Sequence, residues 1–195
     1  HQGYRLLFDG TTLNGWTASR RIEGWDVHDG HLICLGENSG YLYSEGQFEN
    51  FRLELEYKTS PQVNSGVFFR VSDRDDPVNT GFEMQILDTH DQAEMKKNSC
   101  GALYGLVEPS VNAVRPAGEW NQVTIRCMGS EVQLALNGIV VVEADLDRWT
   151  EAGQNPDGTT NKNKYAWKDH RRKGHIGLQD HRGYIEFRNV KIVEL

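Results

Sequence analysis

The sequence predicts an all-β sandwich, and three observations carry that expectation. Apolar runs are short and end in turn residues, 20 of the 195 residues being glycine, the pattern of a chain built from many brief strands. Two-residue alternation is strict in Phe51-Arg-Leu-Glu-Leu-Glu-Tyr-Lys58, where Phe51, Leu53, Leu55 and Tyr57 share one face and charged residues share the other. No segment carries helical periodicity over ~10 residues or more. At this length one domain spanning 1–195 is expected, with room for a substantial core.

Taken in order, Tyr4–Phe8 is expected to be a strand entering the Asp9-Gly10 turn. Trp25–His28 and His31–Leu35 flank Asp29-Gly30, and Asp-Gly between two strand-like runs signals a hairpin because both residues tolerate positive φ. Tyr41–Tyr43, Phe51–Lys58 and Asn64–Arg70 follow, with Phe68 and Arg70 opposed to Val67 and Phe69 by alternation. In Gly81–His90, Glu83 and Gln85 fall on one face while Phe82, Met84 and Ile86 fall on the other. Residues 89–118 form a long patternless loop, with one helical turn expected at Glu94–Lys97. Val123–Cys127, Val132–Leu136 and Ile139–Val142 make an antiparallel meander joined by Gly129-Ser130 and Asn137-Gly138. A second long loop covers 148–173. His175–Gln179, a turn at Asp180–Gly183 and Tyr184–Leu195 close the chain, with a bulge expected at Arg188-Asn189 where alternation fails. Roughly a dozen strands result, with two long loops available to wall one face.

Acidic residues outnumber basic ones 28 to 21, a net charge of -7, so nothing recommends nucleic acid or an anionic membrane as a partner. No apolar run reaches the ~18 residues that a membrane-spanning helix needs, and no membrane insertion is expected. Cys34, Cys100 and Cys127 allow at most one disulfide and lack metal-finger spacing. Cys34 and Cys127 lie in apolar strand patterns and are expected to be buried; Cys100, in a Ser-Cys-Gly turn, is expected to be the accessible one. Trp16, Trp25, Trp120 and Trp149 are assigned to the core or its edges.

The polar row of Glu83 and Gln85, running out into Asp88, His90 and Asp91, suits the floor of a sugar-sized cleft; a half-solvated strand with an acidic loop is the plainer reading. Blocks along the whole chain then point to a family. They are Leu7-Phe-Asp-Gly10, Leu13-Asn-Gly-Trp16, Asn64-Ser-Gly-Val-Phe-Phe-Arg70, Gly81-x-Glu83-x-Gln85-Ile-Leu-Asp88 and Gly101-Ala-Leu-Tyr104. Gly118-Glu-Trp-Asn121, Leu136-Asn-Gly138, His175-Ile-Gly-Leu-Gln-Asp-His181 and Phe187-Arg-Asn189 complete them. In this order they resemble the 3-keto-disaccharide hydrolases, also described as 3-keto-glucoside 1,2-lyase/2-hydroxy-3-keto-glucal hydratases. The resemblance implies a concanavalin A-like lectin/glucanase jelly roll of two antiparallel sheets, and secreted or periplasmic carbohydrate processing in bacteria. One departure is visible: the family often has Gly after the Gln-Asp-His triplet, where this chain has Arg182.

The implied substrate is an oxidised, 3-keto mono- or disaccharide glycoside. A ketone at carbon 3 acidifies the proton on carbon 2, so a base can remove it, the anomeric substituent can leave by elimination, and water can add back. That route needs a general base, an electrophile at the keto oxygen and a general acid at the leaving oxygen. His90 and His181 are the first candidates for the base, since imidazole titrates near ~6.5 in peptides; Glu83 is the alternative, and Tyr104 is a candidate acid or ring platform. Substrate-binding candidates are Asn64, Arg70, Gln85, Asp88, Trp167, Lys168, Gln179 and Asp180. Arg70 is a candidate for gripping the keto oxygen or pairing with Glu83, and Trp167 for stacking on a sugar ring. Ordinary turn chemistry, with Asp180 capping backbone N–H groups, competes for Gln179, Asp180 and His181.

Asp88, His90, Asp91 and Glu94 offer ligands for a divalent cation, either a transition metal near the enolate or a structural calcium, without a decisive spacing. Two rivals share the expected fold: a non-catalytic carbohydrate-binding module, and a glucanase acting on unoxidised glycosides. Glucanases of this fold carry a Glu-x-Asp-x-x-Glu strand. This chain has Glu83-Met-Gln-Ile-Leu-Asp88, an amide where a carboxylate is needed.

Overall fold

Thirteen strands form two antiparallel sheets in the computed structural model, which describes residues 3–195. They are β1 (Arg5–Leu6), β2 (Trp16–Ala18), β3 (Trp25–His28), β4 (His31–Cys34), β5 (Tyr41–Phe48), β6 (Phe51–Thr59), β7 (Asn64–Val71), β8 (Phe82–Leu87), β9 (Asn121–Met128), β10 (Glu131–Leu136), β11 (Ile139–Asp145), β12 (Gly174–Gln179) and β13 (Ile185–Glu194). One sheet has the order β11-β10-β9-β6-β13-β4-β3, with β1 also paired to β13; the other has the order β2-β5-β12-β7-β8. The arrangement is the all-β sandwich expected from the strand pattern, in the jelly-roll class that the resemblance implied.

The core lies between the sheets and is supplied by alternate residues. Phe51, Leu53, Leu55 and Tyr57 of β6 are all within 1% of complete burial, as are Met84 and Ile86 of β8. All three predicted Gly-containing hairpins are present, β3–β4 at Asp29-Gly30, β9–β10 at Gly129-Ser130 and β10–β11 at Asn137-Gly138, with Asp29, Gly129 and Asn137 at positive φ. The bulge near Arg188-Asn189 is also present: the β13–β6 register shifts after Arg188, and Asn189 takes φ 53°.

Three local expectations fail. Glu94–Lys97 is irregular, and the one short α-helix among the described residues is α1 (Pro77–Thr80), with proline at its first turn. Cys100 is 1% exposed with its Sγ 3.1 Å from the Tyr57 hydroxyl, because the 89–118 loop folds back over β6 and β8. All three cysteines are buried and unpaired.

The third failure shapes the site. Between the pairs Gly177↔Phe68 and His175↔Val71, β7 sets two residues, Phe69 and Arg70, against one on β12. Arg70 occupies this bulge at φ 52°, and alternation resets there. Its side chain is fully buried, donating to Glu49 O at 2.9 and 2.6 Å and to Gly129 O at 2.9 Å. Arg70 therefore does not share an outer face with Phe68.

Candidate active site

The outer face of the five-stranded sheet carries a cleft made of two adjoining hollows of about 390 and 380 Å³. Phe68, Val78, Glu83, Tyr104 and Lys162 line both; Asn64, Gln85, Gln179, His181 and Tyr41 complete one, and Asn163 and Trp167 border the other. Strand pleat places the floor: Glu83 and Gln85 point outward from β8 while Phe82, Met84 and Ile86 enter the core. Glycine clears the space above them. A Cβ on Gly66, opposite Gln85 on β7, would lie 2.5 Å from Glu83 Oε1, and one on Gly177 would meet the Tyr43 ring and Phe68 Cβ. An apolar wall stands beside the floor, where Tyr41 stacks on Tyr43 at 5.5 Å and meets Phe68 edge-on at 5.0 Å.

Glu83 is the cleft's sole carboxylate side chain and Lys162 its sole Lys or Arg. Burial pushes the Glu83 carboxyl up to about 8, against a smaller opposing pull from the Lys162 charge. With the Gln85 amide oriented to satisfy its neighbours, its NH₂ donates to Glu83 Oε1 at 3.0 Å and to Ser65 O at 2.9 Å. Gln85 thus fixes the carboxyl's position. Gln179 presents a buried side-chain oxygen, Oε1, without a protein partner, in a cleft also lined by Asn64 and His181. An unpaired acceptor in a lined hollow suits a hydroxyl-bearing ligand.

The rim comes from both long loops. Tyr104 is held by its own N–H donating to Glu83 O at 2.9 Å, and Gln85 N donates to Ala102 O at 3.0 Å. In the second loop, buried Asn155 accepts from Trp149 Nε1 at 2.9 Å and donates to Gly105 O at 3.1 Å. Lys162 follows, its Nζ 4.7 Å from the centre of the Tyr104 ring.

A family model for the 3-keto-alpha-glucoside-1,2-lyase-like domain matches residues 3–193. The chain belongs to that family. It is 29% identical to a 3-keto-disaccharide hydrolase of Bacteroides thetaiotaomicron, over 97% of this chain and 78% of that protein. It also superposes on the crystal structure of a candidate glycosyl hydrolase from Parabacteroides distasonis with TM-score 0.89 and 32% identity, covering 99% of this chain and 100% of that one. A Bacillus licheniformis beta-glucanase at 13% identity and TM-score 0.58 shares the fold, covering 99% of this chain and 98% of that one. Membership in the lyase-like family makes the protein a carbohydrate-active enzyme.

Within this family member the sequence-predicted residues separate into two groups. Glu83, Gln85, Tyr104, Asn64, Gln179 and His181 meet at the cleft. Arg70 does not, because the bulge turns it inward. Trp167 borders the cleft but is 2% exposed, packed 4.3 Å from Phe82, so it has no open ring face for a sugar. Lys168 is exposed outside the cleft lining, and His90 is exposed beside Asp91, 3.0 Å from it. Asp88 accepts from Gln62 N at 2.9 Å and Asp180 accepts from Ser39 N at 2.7 Å and Arg182 N at 2.8 Å, so both carboxylates pin turns. Arg182, where the chain departs from the expected glycine, takes φ 65°, a left-handed backbone that glycine adopts without strain.

Among the described residues no three His, Cys, Asp or Glu side chains converge as a metal-holding group, and Asp88, His90, Asp91 and Glu94 are not gathered. Sequence reading missed Lys162, Tyr41 and Gly66. Gly66 sits in the quoted Asn64-Ser-Gly block; Lys162 had no local signal, lying in an Asn/Lys-rich loop without period.

Proposed function

We propose that the protein cleaves 3-keto-glycosides by elimination across carbons 1 and 2 followed by hydration, with Glu83 as the general base. The observation that carries this is a desolvated carboxyl on the cleft floor, titrating at about 8 and held by the Gln85 amide. A carboxylate so perturbed is a much stronger base than an exposed one, yet is partly ionised near neutrality. It takes the proton from carbon 2, the electrons move into the enolate, and expulsion of the anomeric oxygen gives the aglycone and a 2-hydroxy-3-keto-glucal. Water then adds at carbon 1 and Glu83, its carboxyl proton having exchanged with solvent, delivers a proton to carbon 2, for a net hydrolysis. His181 and Tyr104 are the cleft groups that can protonate the leaving oxygen. Family membership and the name of the Bacteroides relative support the keto-sugar substrate. The amide at Gln85 speaks against the two-carboxylate route of ordinary glycosidases, since no second carboxylate lines the cleft.

Mass spectrometry after incubation with matched native and 3-keto disaccharides tests the reading. Cleavage of the keto sugar alone is expected; cleavage of the native sugar, or saturable binding without cleavage of either, sinks it. In D₂O, early-quenched product should carry deuterium at carbon 2, which direct hydrolysis would not introduce. Glu83→Gln should abolish turnover and His181→Ala should lower it; unchanged turnover in both rejects the site.

A further inference from the structure

With Arg70 turned into the core, the keto oxygen loses the cation that the sequence put forward to hold it. We propose that Lys162 is a catalytic residue of this cleft, its ammonium group taking up the negative charge that develops on the keto oxygen as Glu83 removes the neighbouring proton. The inference rests on the elimination reading above, and three observations carry it.

The first is composition. Among the side chains lining both hollows, Lys162 is the single Lys or Arg, facing the single carboxylate. An enolate oxygen forms within a few Å of the base that generates it, so a cation across the same hollow is where that charge needs one.

The second is placement. The Lys162 ammonium rests 4.7 Å from the Tyr104 ring centre, a contact that holds a cation without neutralising it. Lys97 and Arg70 are engaged elsewhere. Lys97 pairs with Asp157 at 2.5 Å and with Glu108 at 3.3 Å, and Arg70 is spent on backbone carbonyls.

The third is the fixing of the backbone on both sides of Lys162. Upstream, Asp157 is tied to Lys97 and Asn155 to Gly105 O and Thr159. Downstream, Asn163 donates to Val78 O at 2.8 Å and Lys164 N to Asn79 Oδ1 at 3.0 Å. A long flexible side chain is thereby delivered from an anchored stem. Lys162 itself is exposed, and a sugar filling the cleft would cover it and strengthen its field.

The test compares Lys162→Met and Lys162→Arg with the unmodified protein on a 3-keto-glucoside across pH. The groups facing Glu83 are Lys162, Tyr41, Tyr104 and His181, so only the first is altered. Lys162→Met should lower kcat by about 10²–10³-fold, the usual cost of one oxyanion donor, while Lys162→Arg should recover most of that loss. The ascending limb of kcat/KM should move to higher pH in the Met variant, because the cation no longer favours the Glu83 anion. Carbon-13 NMR titration of Glu83 reads the same upward shift without substrate. Turnover within about threefold of the unmodified protein, with no movement of either titration, overturns the assignment to Lys162 alone. An unmodified protein idle on every 3-keto-glucoside overturns the elimination reading and this inference with it, and a Glu83 titration unchanged in Lys162→Met additionally removes the electrostatic link.

Discussion

Glu83 shows how a single side chain is set for chemistry at a cost to stability. Its carboxyl titrates near the usual 4.5 when unfolded and at about 8 in the fold. Between those values the unfolded chain has given up a proton that the native state keeps, so stability falls as pH rises through that window and the contribution is lost above about 8. Glu83→Gln keeps the shape and removes the titration. It should leave stability at pH ~4 nearly unchanged and raise it by about 1–3 kcal/mol at pH ~9, in parallel with lost turnover. Urea denaturation at the two pH values checks this; equal midpoints at alkaline pH would show that the carboxyl is not desolvated. As a base, Glu83 must be ionised, so kcat/KM should climb with pH and level off above about 8.

At the scale of elements, the cleft is a consequence of how β7, β8 and β12 pair. Gly66 opposes Gln85 across β7–β8, and Gly177 faces Phe68 across β12–β7. Any side chain at Gly66 takes Glu83's place, since a Cβ there meets its Oε1, Cγ and Cδ at 2.5, 2.8 and 2.9 Å. Gly66→Ala should therefore cost about 100-fold in kcat/KM through a displaced base, with a melting temperature shifted by only a few degrees. Comparable activity in the variant would mean that Glu83 moves without consequence. The bulge opposite β12 has the complementary effect. It withdraws Arg70 from the outer face and leaves Glu83 facing one cation instead of two.

At the scale of the molecule, Arg70 links the sheets. It sits on the five-stranded sheet and holds the β5–β6 turn at Glu49 and the β9–β10 turn at Gly129. Buried carbonyls stripped of their donor cost about 1–3 kcal/mol each, so Arg70→Leu should destabilise the fold by about 2–4 kcal/mol, read by chemical denaturation. The activity of the fraction that remains folded should be unchanged, because the guanidinium does not line the cleft. A variant that kept its stability and lost activity would restore Arg70 to the reaction.

What the sequence determined by itself is what depends on neighbours in the chain. Pleat alone put Glu83 and Gln85 on one face of β8 and Met84 and Ile86 on the other, and Asp29-Gly30 and Asn137-Gly138 placed their hairpins through local backbone preference. The ordered blocks carried the family. Tertiary structure decided the rest. Alternation predicts Arg70 outward; only pairing with β12 creates the bulge that turns it in. A turn cysteine reads as accessible until the 89–118 loop covers it with Tyr57 and β8. His90 and Glu83 lie seven residues apart in the chain, yet only one faces the cleft, and Lys162 joins Glu83 from a loop with no period at all. Periodicity reports which face a residue takes within its own element. Which elements meet, and so which charges confront each other, follows from long-range pairing and burial that local pattern does not encode.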